Sequence, residues 1–172
     1  MSIIAAKIHA DYYEIAADSI SVLGHSQRKD MDKAKLLEVN GIIVGGTGTA
    51  QETSLLETFL RTHKPSESKD SSVLECFIEF ASWKKERTTK YEIENDYLVG
   101  FDGKVWLIEG FYVCQVTKFH AIGAGANFAT AAMFLGHDVT KAVETAIELS
   151  IYCESPVVKF RRNMRDQNSE RA

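Results

Sequence analysis

Several protein classes are excluded by what this chain lacks. Its 20 basic and 24 acidic residues leave a net charge of -4, with no basic excess to attract nucleic acid. No apolar run is long enough to span a bilayer. The first residues show no basic stretch followed by a long apolar one, so no signal peptide is expected and a cytoplasmic location is. Cysteine is sparse: Cys76, Cys114 and Cys153 are odd in number and widely spaced. They fit neither a disulfide framework nor a metal-ligand pattern and read as free thiols of a reducing compartment. What is present is an ordinary globular composition. At 172 residues, 45% of them hydrophobic, the chain has enough mass for one domain with a sizeable core.

Periodicity gives the order of elements. Ile3 to Ile8 and Tyr12 to Ala17 read as strands joined tightly around Ala10-Asp11. Ser19 to Asp32 is polar and irregular. Leu36 to Asn40 and Ile42 to Val44 flank Gly41 as a hairpin or two short strands. Leu55, Leu56, Phe59 and Leu60 recur at helical spacing within Thr49 to Thr62. After a loop around Pro65, Val73 to Arg87 is again helical. Asp96 to Gly100 and Val105 to Ile108 form a hairpin about Asp102-Gly103. Phe119 to Ile122 leads into a helix from Asn127 to about Leu135, and Asp138 caps the next. Pro156 to Phe160 is a last strand, and a charged, frayed tail is expected over residues 161–172. Strands, two helices, strands, two helices and a strand predict an α+β fold, a four-layer αββα sandwich occupying residues 1–160.

Two features carry chemistry. Removal of Met1 would leave Ser2 with a hydroxyl and a free α-amine on one residue, a nucleophile with its own base. An α-amine titrates near ~8, so an appreciable fraction is neutral near pH 7. Serine at this position is also common without any such role. The second feature is Gly45-Gly46-Thr47-Gly48, between a strand and a helix start, where free N–H groups suit an anion. The glycines do not follow a dinucleotide-binding spacing, and no Gly-Lys-Ser/Thr follows, so nucleotide binding is disfavoured. A structural turn and an oxyanion hole remain.

Five segments in order resemble proteasome β-subunits and their bacterial relative HslV. They are Met1-Ser2-Ile3-Ile4, Ile15-Ala16-Ala17-Asp18-Ser19, Lys35-Leu36-Leu37-Glu38-Val39-Asn40, Gly46-Thr47-Gly48 and Ala121-Ile122-Gly123-Ala124-Gly125. The resemblance covers about residues 2–160. It implies the αββα sandwich of N-terminal nucleophile hydrolases and a peptidase active on proteins or peptides. The family's nucleophilic threonine falls on Ser2, its strand-end acid on Asp18, and its lysine on Lys35, with Lys33 a competing register. The oxyanion-hole glycine falls on Gly48. Gly46 falls where the family lines the substrate pocket, and its missing side chain implies a roomy base. On its own, an aspartate after a strand is more often a turn cap, and a lysine more often solvated. The resemblance further implies a ring or double ring of subunits, fed by an ATP-dependent unfoldase, with neither metal nor organic cofactor.

Departures from the family pattern point the other way. Ala124 stands where the family commonly has a serine between the two glycines. An aspartate and a serine of the last loop fall on Ser150 and Cys153, so the aspartate's charge is absent. If Met1 is retained, Ser2 has no free amine. These features leave open a catalytically silent ring subunit of the same fold.

Overall fold

Two hairpin turns organise the larger sheet. Asn40-Gly41 and Asp102-Gly103 take φ values of 52°, 75°, 48° and 75°, the left-handed pair that a two-residue turn between twisted strands requires. They join β5 (Leu36–Val39) to β6 (Ile42–Thr47) and β7 (Asp96–Phe101) to β8 (Lys104–Glu109). With β9 (Tyr112–Gln115) these strands form an antiparallel sheet ordered β5-β6-β7-β8-β9. The second sheet, ordered β10-β1-β2-β11, contains β1 (Ile4–Ile8), β2 (Tyr12–Ala17), β10 (Phe119–Ile122) and β11 (Val158–Asn163). A small ribbon pairs β3 (Val22–Leu23) with β4 (Ser26–Gln27). The computed structural model describes residues 2–19, 22–23, 26–27 and 34–164.

Helices cover the outer face of each sheet. Helix α1 (Ala50–Leu60) opens at Thr49, whose hydroxyl accepts the Glu52 N–H, and α2 (Asp70–Thr88) follows it. Leu56, Phe59, Phe77 and Phe80 from these helices pack with Ile42, Val44, Tyr97 and Trp106 from the larger sheet. On the opposite side lie α3 (Ala126–Phe134) and α4 (Val139–Leu149), the latter capped by Asp138 through the Lys141 N–H at 2.8 Å. Ala129, Ala132, Val143 and Ala146 pack there against Ile3, Ala5 and Ala16. Between the sheets, Ile4, Ala6, Ile15 and Ala17 meet Leu36, Ile43, Leu98 and Val105. The central strands β6, β7 and β8 are apolar on both faces because each sheet is buried twice, which gives the four layers their order: helices, sheet, sheet, helices.

The αββα architecture matches the sequence expectation, and four details differ from it. β9 has no clear alternation because it is a half-buried edge strand. The β3–β4 ribbon lies inside the stretch read as irregular. Helix α2 begins at Asp70, three residues before Val73 where the sequence predicts it, and Asp70 Oδ1 accepts the Trp106 indole N–H at 2.9 Å. The expected tail boundary after residue 160 also moves. β11 continues to Asn163, pairing Arg161 with Glu14 and Arg162 with Tyr13. Partners on both faces explain its polar sequence: on the exposed face Lys159 binds Glu14 at 2.9 Å and Arg161 stacks over Tyr12, while on the face of Phe160, Arg162 reaches across to Glu38 of β5 in the other sheet. The rest of the expected tail, residues 165–172, lies outside the described residues.

Candidate active site

Asp18 follows the last residue of β2 and turns its carboxylate into the sheet, where the side chain is 0% exposed. Burial of a carboxylate is tolerated only with partners, and among the described residues three donors meet it. Its Oδ1 accepts the Ile3 N–H at 3.0 Å and the Lys35 ammonium at 2.8 Å. Its Oδ2 accepts the Glu154 N–H at 3.2 Å. The Asp18 N–H in turn donates to the Ile3 carbonyl at 3.2 Å. One side chain thus ties together the start of the chain, the residue preceding β5, and the segment leading to β11.

Lys35 reaches this carboxylate because β5 starts beside the end of β6: the Gly46 N–H donates to the Lys35 carbonyl at 3.4 Å. Its side chain is only 14% exposed. Burial pushes the Lys35 ammonium below the ordinary lysine range, opposed by the charge and hydrogen bond of Asp18 and by Cys153. The competing Lys33 lies outside the described residues, as does Met1.

Ser2 is 6% exposed and precedes the Ile3 N–H that Asp18 holds. The second glycine turn grips its backbone. The Gly125 N–H donates to the Ser2 carbonyl at 3.2 Å. A Cβ at Gly123, whose φ is +95°, would lie 2.5 Å from that carbonyl oxygen, so only glycine permits the approach. Ala124 between them is exposed and brings no hydroxyl. Cys153 lies against the same turn, with its Sγ 2.8 Å from where a Gly125 Cβ would stand. Burial pushes its thiol up, opposed by Ser150 and Lys35 and reinforced by Asp18. Ser150 itself ends α4 and is buried.

Gly48 follows β6, with φ at +133°. A Cβ there would meet Asn95 Oδ1 at 2.1 Å, so the position admits glycine alone. Its N–H has no hydrogen-bond partner among the described residues. The neighbouring Thr49 N–H is committed to Asn95 Oδ1 at 2.6 Å. Gly46 faces the helix layer, and the space a Cβ would take is filled by the Tyr97 ring at 2.7 Å and Thr53 Oγ1 at 3.0 Å. The missing side chain at Gly46 is therefore taken up by Tyr97 and opens no empty base.

The structure bonds Asp18 to Lys35 and to the Ile3 N–H that follows Ser2, with the strand end bearing Gly46 and Gly48 alongside. Thr47 Cγ2 stands 3.0 Å from the position of a Gly123 Cβ, which joins the two glycine turns. Sequence reading missed the Glu154 N–H, because a backbone donor leaves no mark in residue type. It also missed Asn95, which sits between Glu94 and Asp96 in a polar stretch before β7 with no motif around it.

No protein-family model matches the chain, and no curated protein matches it. Solved structures do. BPH from Thiobacillus denitrificans in complex with epoxomicin superposes with a TM-score of 0.85 at 18% identity, covering 94% of this chain and 98% of that one. A second structure of Thiobacillus denitrificans BPH gives a TM-score of 0.85 at 17% identity, covering 95% and 99%. Eukaryotic HslV from Trypanosoma brucei gives 0.69 at 20% identity, covering 92% and 98%. Over nearly its whole length, this chain has the αββα fold of HslV and BPH.

Proposed function

We propose that the chain is a proteasome/HslV-like peptidase subunit that cleaves peptide bonds with Ser2 after removal of Met1. The observation that carries this reading is the Asp18 carboxylate, which holds both the Lys35 ammonium at 2.8 Å and the Ile3 N–H at 3.0 Å. A buried cation is thereby tethered beside residue 2. Its positive charge lowers the proton affinity of a nearby amine and favours the ionised form of a nearby hydroxyl. In the proposed reaction the Ser2 α-amine takes the proton of the Ser2 hydroxyl as the oxygen attacks the peptide carbonyl. The Gly48 N–H donates to the oxyanion of the tetrahedral intermediate. The amine returns the proton to the leaving nitrogen, an acyl ester remains on Ser2, and water, deprotonated by the same amine, releases it.

The likeness in fold to HslV supports self-association into a ring or double ring, with an ATP-dependent unfoldase as partner and unfolded protein as substrate, in the cytoplasm. Among the described residues, no helix is long and apolar enough to cross a membrane. Gly46 is assigned to the substrate pocket by its place two residues before Gly48, through its backbone, since its side-chain position is filled by the buried Tyr97 ring. One observation favours a second reading, a silent ring subunit: exposed Ala124 offers no hydroxyl to exchange protons with the amine.

Hydrolysis of fluorogenic peptides and casein by wild type and Ser2→Ala separates the two. Hydrolysis by wild type and its loss in Ser2→Ala, with assembly intact, supports the peptidase. Equal rates would remove Ser2 from the reaction, and no hydrolysis by a chain beginning at Met1 favours the silent subunit. Epoxomicin, found with the Thiobacillus denitrificans BPH, is a ready probe. It should raise the melting temperature of wild type and not of Ser2→Ala.

A further inference from the structure

The turn that bears Gly48 rests on a buried polar chain that none of the motifs above accounts for. Lys84 on α2 and Glu52 on α1 form an ion pair at 2.6 Å, with side chains 3% and 4% exposed. Lys84 also donates to the Glu92 carbonyl. Glu52 accepts the Glu94 N–H at 3.1 Å, the Asn95 N–H at 2.9 Å and the Tyr97 hydroxyl at 3.1 Å. Asn95, 1% exposed, then uses both ends of its amide. Its Oδ1 accepts the Thr49 N–H at 2.6 Å, and its Nδ2 donates to the Thr49 carbonyl at 2.9 Å and Thr53 Oγ1 at 3.1 Å. The same Oδ1 stands where any side chain on residue 48 would have to be.

We infer that Lys84, Glu52 and Asn95 are positioning residues that fix the Gly48–Thr49 turn and so aim the Gly48 N–H. Burying a charge pair is costly, and its best attested return is a unique local geometry. Here the pair has a specific target. Glu52 orders the backbone of Glu94 and Asn95, and Asn95 grips both backbone groups of Thr49. Because Asn95 occupies the Thr49 N–H, the adjacent Gly48 N–H is the donor of this turn without a partner among the described residues. A donor that must be aligned before charge develops gains from such stiffness, since a misplacement of about 1 Å can cost on the order of a hundredfold in rate. The inference rests on the assignment of Gly48 as the oxyanion donor.

The test uses Asn95→Ala and the nearly isosteric Thr53→Val, which keeps the fold if Asn95→Ala does not. Amide hydrogen exchange over residues 45–53 is measured in the Ser2→Ala background, where it is independent of activity. Exchange should rise about tenfold or more in Asn95→Ala and less in Thr53→Val, and unchanged exchange in both overturns the inference. In the active background, kcat per folded subunit should fall about tenfold to a hundredfold in Asn95→Ala with KM nearly constant. A peptide aldehyde, which forms an oxyanion adduct, should lose affinity in proportion, whereas the matching peptide alcohol should not. Equal losses for both inhibitors, or faster exchange with unchanged kcat, overturn the positioning role. If the wild type shows no Ser2-dependent hydrolysis, the peptidase reading fails, and hydrogen exchange alone then decides whether the network fixes the turn.

Discussion

Replacing Asp18 should damage stability and chemistry together, by amounts the structure allows to be worked out. Its carboxylate receives two backbone N–H groups and the Lys35 ammonium, and its side chain has no exposure to water. In Asp18→Ala the Ile3 and Glu154 N–H groups lose their acceptor, and Lys35, 14% exposed, keeps a charge without its partner. A buried pair broken from one side costs about 3–5 kcal/mol. For a domain of this size, 1 kcal/mol moves the melting temperature by roughly 2–4 °C, so a fall on the order of 6–20 °C is expected. Asp18→Asn keeps an oxygen for Ile3 and Lys35 but turns an NH2 group toward the Glu154 N–H. Its cost should be about half. Thermal unfolding at one protein concentration gives the comparison, and peptide hydrolysis on the same samples gives the catalytic loss. A loss below about 0.5 kcal/mol for Asp18→Ala, the size of an ordinary surface substitution, would refute the reasoning.

Other consequences can be checked separately. Lys35→Ala should cost far more hydrolysis than Lys33→Ala, and the reverse order in paired rate measurements would show the wrong register was chosen. Burial holds the Lys35 ammonium below the ordinary lysine range, so its NMR titration should have a midpoint below ~10.4, and a midpoint at or above that value would contradict the burial argument. Between the folded and unfolded values the unfolded chain holds more protons at this site, so the contribution of Lys35 to stability rises with pH across that window. Gly48→Ala combines a positive φ with a clash against Asn95, about 1–3 kcal/mol of strain plus about 1 kcal/mol for each Asn95 hydrogen bond lost. Gly110→Ala, at φ +58° with open space around it, should cost only about 1 kcal/mol, and equal costs in denaturant unfolding would remove the special role of the Gly48 contact.

The hairpins were legible because Asn40-Gly41 and Asp102-Gly103 declare their turns through residue type. The first helix pair was legible because Leu56 and Phe59, then Phe77 and Ala81, repeat at helical spacing and face one sheet, although Ile78, read with them, is exposed. Two of the edge strands were not legible in full, although β5 and β10 were. β9 and the end of β11 bury one face at most, so Tyr112 and Arg161 look like loop or tail in a linear reading. The Asp18–Lys35 pair came from order and resemblance, not from periodicity, since a 17-residue separation carries no local signal. Gly46 shows the limit of reading a glycine as empty space. The residue that fills it, Tyr97, lies on the neighbouring strand and is unrelated in sequence position. The Lys84–Glu52–Asn95 chain was invisible for the same reason: its members lie on two helices and a strand approach.

The central claim is that a hydroxyl at residue 2, freed of Met1, is the nucleophile. It is tested most directly by reacting the native protein with a peptidyl sulfonyl fluoride and locating the adduct by mass spectrometry. The account expects a chain beginning at Ser2, with one adduct on the Ser2 hydroxyl that disappears in Ser2→Ala. A chain that retains Met1, or an adduct on any other residue with Ser2 unmodified, would contradict it.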